Sequence, residues 1–99
     1  MRPVFFRRSA ATQVGEAHSW WREHRPAVPF AVRDDLAQAI ALIAIQPGIG
    51  APAKNARLRG VRRLLLSRLK YWIYYRAVED RIDVLAFWHA QRERGPSLR

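Results

Sequence analysis

The chain predicts an α+β fold in the order β-α-α-β-β-β, with a helix hairpin packed on a four-stranded antiparallel sheet. Three observations carry this. Residues 61–67, 71–78 and 82–89 are dense in Leu, Ile, Val, Tyr, Trp and Phe, which fit a pleated, half-buried surface. Between residues 10 and 46 the apolar positions recur instead at helical spacing, in two stretches parted by Arg25-Pro26-Ala27-Val28-Pro29. Residues 3–7 form a short apolar run whose Pro3 lacks an amide donor, which suits an edge strand.

Taken in order, the first strand is followed by Ser9 as the expected N-cap of a helix whose apolar stripe is Ala10, Val14, Ala17 and Trp21. Gly15 weakens that helix by about 1 kcal/mol relative to Ala, and so marks a close approach to a neighbour. A second helix spans about residues 30–46, with Leu36, Ile40 and Ile43 on one face, and stops at Pro47-Gly48. Val14, Trp21, Leu36, Ile40 and Ile43 are expected against the sheet. Residues 49–56, IGAPAKNA, read as a loop. In the meander the break at Glu79-Asp80-Arg81 is a compact hairpin turn, while Ser67-Arg68-Leu69-Lys70 is a weaker turn signal. The last strand has Ile82, Val84, Ala86 and Trp88 in one phase and Leu85 and Phe87 in the other. A strand apolar in both phases requires a cover on each face of the sheet. Helices supply one; the other has to come from elsewhere.

At 99 residues the chain is one domain, read as residues 1–92 with a polar, frayed tail at 93–99. The apolar run at residues 37–45 is too short to span a bilayer, and the N-terminal apolar patch reads as a strand and not a leader. Without cysteine there is no disulfide framework or thiolate metal site, as expected of a cytoplasmic protein. Charge is the strongest compositional signal. Lys and Arg number 18 against 8 Asp and Glu, a net charge of +10. Six basic and four acidic residues precede Lys54, and twelve basic and four acidic follow from it, so +8 of the +10 lies on or beside the meander. All but Lys54 and Lys70 are arginine, the residue suited to bidentate phosphate or carboxylate contact and to ring stacking. An anionic partner follows, nucleic acid or an acidic protein.

The element order, the Pro47-Gly48-Ile49-Gly50 stop, Gly60-Val61-Arg62-Arg63, Tyr74-Tyr75-Arg76, and Val84-Leu85-Ala86-Phe87-Trp88-His89 followed by Arg92 together resemble the RelE/ParE superfamily of bacterial toxins. The resemblance covers nearly the whole chain. It implies the toxin of a type II toxin–antitoxin pair, held in a heteromeric complex by a small antitoxin whose acidic or amphipathic segment wraps it. That antitoxin would be the missing cover of the second sheet face, and the toxin alone would self-associate through the apolar patch left exposed. The implied antitoxin surface takes in Trp20, Arg63, Leu65, Tyr75 and Phe87.

The superfamily has two activities. RelE-like members cut messenger RNA on the ribosome without metal, and ParE-like members poison DNA gyrase. Cleavage here would draw on Lys54 and Arg63 for charge, with His89, Arg76 and Arg62 as the catalytic set, since attack by a 2′-hydroxyl needs proton transfer and cations at the developing phosphorane. The charge is present; beyond His89 a second proton carrier is not. The Phe87-Trp88-His89 ending with Arg92 resembles the ParE-like branch, so the expected activity is gyrase poisoning, with Arg62, Arg63, Arg76, Trp88, His89 and Arg92 as the target surface. Ribosome-dependent cleavage of messenger RNA is the alternative, and a non-enzymatic basic nucleic-acid-binding module the second. No cofactor, metal or membrane partner is expected. His18, His24 and His89 lack metal-ligand spacing, and the adjacent Asp34 and Asp35 suit the first-turn dipole of a helix.

Overall fold

The computed structural model describes residues 1–54 and 56–98; Asn55 of the expected loop and Arg99 of the expected tail lie outside them. The elements are β1 (Val4–Phe6), α1 (Arg8–His24), α2 (Ala31–Ile45), β2 (Ala51–Pro52), β3 (Arg62–Leu66), β4 (Tyr71–Val78) and β5 (Arg81–His89). The sheet has five strands in the order β1-β5-β4-β3-β2. It corrects the four-stranded antiparallel expectation in two ways. β1 runs parallel to β5, pairing Val4 with Ile82 and Phe6 with Val84, a direction that three residues with no alternation do not specify. β2, inside the expected loop, pairs only Ala51 and Pro52 with Arg63 and Arg62. So short a strand leaves no pattern, and Pro52 is tolerated because the strand is an edge.

The helices begin and end where backbone hydrogen bonds dictate. Arg7 N–H still donates to Val84 O at 3.0 Å, so the chain is held to β5 until the residue before α1. Arg7 then occupies the cap position without a side-chain cap bond, and Ser9 falls inside the first turn, not at its N-cap. α2 closes on Gln46, whose N–H donates to Leu42 O at 2.8 Å, one residue before Pro47. Gly15 does not mark a close approach: a Cβ there would meet nothing within 4 Å. Gly15→Ala is therefore expected to stabilise the protein by about 0.5–1 kcal/mol, read as a rise in the thermal midpoint.

The helix pair lies on one sheet face. Val32, Leu36 and Ile43 are buried with Ile73, Tyr75, Ile82, Val84 and Phe87, and Val14, Trp21 and Ile40 pack at the border. On β5 the register slips: Tyr74 opposes Ala86 while Tyr75 opposes Val84, so Leu85 is a bulge residue. Beyond it the phases exchange faces, as an inserted residue must make them do. Phe87 turns to the helices, while Leu85 and Ala86 are buried on the other side with Val61, Tyr74 and Leu98. The two-sided apolar pattern of this strand is thus in part a register slip.

The second face is covered partly by the chain itself. Leu98 is only 6% exposed in that cluster, with Ala53, Ala56 and Leu58 around it. Trp88 Nε1–H donates to Arg94 O at 2.7 Å. The tail is therefore laid on the sheet, in place of the frayed tail its polarity implied. Leu65 stays exposed at the outer side of this face, and other large exposed apolar side chains lie elsewhere, among them Phe5, Phe6, Trp20, Phe30, Leu42 and Ile45 on β1, the helices and the cap of α2.

Two contacts tie loops to this frame. Arg68 in the β3–β4 turn forks onto Asp35 of α2, Nη2 to Oδ1 at 2.7 Å and Nε to Oδ2 at 3.0 Å. Asp35 therefore serves an ion pair and not the helix dipole, and its hydrogen bond and charge raise the Arg68 pKa. Tyr75, with no exposed surface, donates its hydroxyl to Pro47 O and accepts from Gly50 N–H, both at 2.8 Å. Burial pushes the Tyr75 phenol above its ordinary 10.0, against smaller downward pulls from the Gly50 amide and Arg62. Tyr71 is raised likewise, chiefly by burial. Because the unfolded chain ionises first, this contribution to stability is complete below pH 10.0 and lost as pH rises above it. Denaturant midpoints measured from pH 8 upward should stay level to about pH 10 and then fall.

Candidate target-binding cleft on the open sheet face

Side chains on neighbouring strands share a face where their residues pair, and alternate along each strand. Arg63 pairs with Tyr74, Leu65 with Trp72, and Trp72 with Trp88, so all five belong to the face opposite the helices. There the Arg63 guanidinium lies 4.0 Å from the centre of the Trp72 ring, and that of Arg92 lies 4.1 Å from Trp88. The segment around Ala53 walls one side and the tail the other, enclosing a cleft of about 680 Å³. Lys54, Arg63, Arg92 and Arg94 line it against a single acid, Glu93. Asp34, Asp35 and Asp83 are paired away from the cleft, with Arg33, Arg68 and Arg81. Four cations thus line the cleft against one acid, and none of the four is in those ion pairs.

The expected catalytic set does not converge. Arg62 pairs with Tyr75 on the helix-covered face, and its Nη1 donates to Gly50 O at 2.7 Å. Arg76, next along β4, is on the opposite face beside Asp83, and its Nε is buried with no hydrogen-bond partner among the described residues. His89 opposes Tyr71 at the far end of β4, five residues from Arg76, or roughly 17 Å along a strand. Its ring meets Tyr71 edge-on at 4.9 Å, and its Nδ1 accepts from Gln91 N–H at 3.2 Å. Of the expected target surface, Arg63, Trp88 and Arg92 share the cleft, with His89 at its rim; Arg62 does not belong to it.

The expected antitoxin residues divide differently. Tyr75 and Phe87 are interior, at 0% and 2% exposure, and offer no surface. Leu65 is exposed at the outer side of β3, and Trp20 stands outward on α1, its ring stacked on His24 at 4.5 Å while Trp21 packs inward. A second concavity, of about 570 Å³, runs between the helices, floored by Val14, Val32, Leu36 and Ile40. Sequence reasoning does not show it because the periodicity places Val14, Leu36 and Ile40 against the sheet, whereas the same side chains also border the gap between the two helices.

The family model for the ParE toxin of the type II toxin–antitoxin system, parDE, matches residues 4–94. This chain belongs to the ParE toxin family. Its fold is also that of a solved chain from the chromosomal ParDE toxin–antitoxin system of P. aeruginosa, with a TM-score of 0.75. That chain is 19% identical, and the match covers 92% of this chain and 98% of the other. A comparison with curated proteins returns no match. None of the described helices is long and apolar enough to cross a membrane.

Proposed function

We propose that this ParE-family toxin arrests growth in the cytoplasm by poisoning DNA gyrase through the open-face cleft, and that a small antitoxin neutralises it. The observation that carries the choice of target is the dispersal of Arg62, Arg76 and His89. Phosphodiester cleavage needs its proton carrier and its cations within a few ångströms of one reacting phosphate. Here Arg62 and Arg76 stand on opposite faces, and His89 is a strand length away with Nδ1 held by a backbone amide. A surface that binds but does not cut fits the Arg63, Trp72, Trp88 and Arg92 arrangement better. Support for the antitoxin comes from the family and from the apolar groove between α1 and α2, beside which Phe6 and Phe30 are exposed. An amphipathic helix is the element that fills such a groove.

His89→Gln decides between the two activities. Its toxicity is expected to stay within about threefold of the parent protein, measured as the inducer concentration that halves growth. A loss of about 10²-fold or more, the usual cost of deleting one proton-transfer group, would restore the ribonuclease reading.

A further inference from the structure

Besides walling the cleft, the tail crosses its floor. We infer that residues 93–98 form a detachable strap that holds the cleft closed in the free protein, and that its release uncovers Tyr74, Leu85 and Ala86 as the apolar centre of the target surface. The inference rests on reading the cleft as the surface that meets the target, and it adds how access to that surface is controlled.

Three contacts fix the path of the strap. The Arg94 carbonyl accepts from Trp88 Nε1–H at 2.7 Å, which places it over β5. A Cβ on Gly95 would lie 3.8 Å from the Tyr74 hydroxyl, which places that residue over β4. Leu98 is buried with Val61, Tyr74, Leu85 and Ala86, so the far end reaches the entry of β3. The strap therefore runs across the face of the sheet, and it adds no strand to either edge. Beneath it Tyr74 is 7% exposed, and Leu85 and Ala86 are each 1% exposed. These side chains point away from the helices, and their cover is the strap together with the segment around Ala53.

The forces that hold it are few. Burial of one leucine and one hydrogen bond oppose the ordering of residues 93–98, terms of similar size, so the docked form should exceed the free one by only about 10- to 100-fold. Charge loosens it further. The strap brings Arg94 into a cleft already lined by Lys54, Arg63 and Arg92, with Glu93 as the single acid, and like charges at close range repel. An anionic partner relieves the repulsion that the strap adds to, so partner and strap compete for one floor. Residues 95–98 lie beyond the stretch that the family model matches, so family membership does not supply the strap.

The test compares the full chain with its Leu98→Ser variant in two measurements: hydrogen exchange of the Trp88 indole N–H by NMR, and the inducer concentration that halves growth at matched protein levels. The indole N–H is protected while it is bound to Arg94 O, so Leu98→Ser should speed its exchange by about tenfold or more. A partner that binds the free form alone gains in proportion to that form's population, so the halving concentration should fall by about fivefold or more. Pro96→Gly removes no side chain of the buried clusters. By freeing the undocked strap it should shift both quantities the same way, by about two- to fivefold. That variant carries the test if circular dichroism shows Leu98→Ser to be unfolded. Ser97→Ala, exposed on the strap, should change neither quantity. Faster exchange without a gain in toxicity overturns the inference, because the strap would then open without gating anything. Unchanged exchange also overturns it, as does a folded variant that loses toxicity, since the tail would then belong to the working surface. A gain in toxicity without gyrase-dependent breaks would remove gyrase as the target and leave the strap standing. Breaks of equal frequency with and without the substitutions would remove the strap and leave gyrase poisoning standing.

Discussion

Gly50→Ala should destabilise the protein by about 3 kcal/mol or more, with a matching fall in the denaturant midpoint and no change in slope. A Cβ at position 50 would sit 2.7 Å from the Tyr75 hydroxyl and 2.8 Å from Arg63 O, distances that no real Cβ adopts. One of these neighbours is backbone in the sheet, and the other is a buried ring held at both ends of its hydroxyl. Relief must come from the loop, whose displacement breaks the Gly50 N–H to Tyr75 bond and the Arg62 to Gly50 O bond together. Tyr75→Phe tests the same lock from the other side. It leaves the buried Gly50 N–H without its acceptor, at roughly 1–3 kcal/mol, and removes the donor to the half-buried Pro47 O. A loss under about 0.5 kcal/mol in both variants would mean that the end of α2 is not anchored through Tyr75.

Removing Arg63 and Arg92 together should abolish growth inhibition while the fold stays intact. Both guanidinium groups lie on the open sheet face against tryptophan, and neither belongs to the buried clusters that hold the sheet to the helices. An arginine anchor at the centre of an interface is worth about 2 kcal/mol or more, so the double alanine variant should bind its target several hundredfold more weakly. The measurement is inhibition of purified gyrase over a range of toxin concentrations, with antitoxin capture as the control. Capture should persist if the antitoxin occupies the groove between the helices. Unchanged inhibition would place the target surface elsewhere on the molecule.

Much of the fold was legible because periodicity survives in the longer elements. β4, β5 and both helices are eight residues or more and fall close to their expected limits. What escaped was short or shifted. β1 and β2, at three and two residues, carry no alternation from which direction or pairing can be read. The bulge at Leu85 moved Phe87 to the helix face and placed Ala86 opposite, which simple alternation along β5 does not foresee. Leu98 is one apolar residue in a polar tail, so its burial follows from the apolar second face beneath it and not from its own neighbours in the chain.

The candidate site was legible in composition but not in geometry. An arginine excess on the meander pointed to an anionic partner, and Arg63, Trp88 and Arg92 were named for that surface and do meet there. Arg62, adjacent to Arg63 in the chain, faces the other way, as strand alternation requires once the register is known. Tyr75 and Phe87, expected at the antitoxin surface that the resemblance implies, are instead core. An aromatic in a strand of this pattern carries no mark of which face it takes until the bulge is placed.

Gyrase binding, and not cutting of messenger RNA, is the activity proposed for this toxin. It is tested most directly by inducing the protein in cells and following chromosomal DNA and transcripts in one culture. Gyrase-dependent double-strand breaks and the DNA-damage response are expected within the first minutes, with transcripts intact. In-frame cuts in transcripts that precede any DNA break would contradict it.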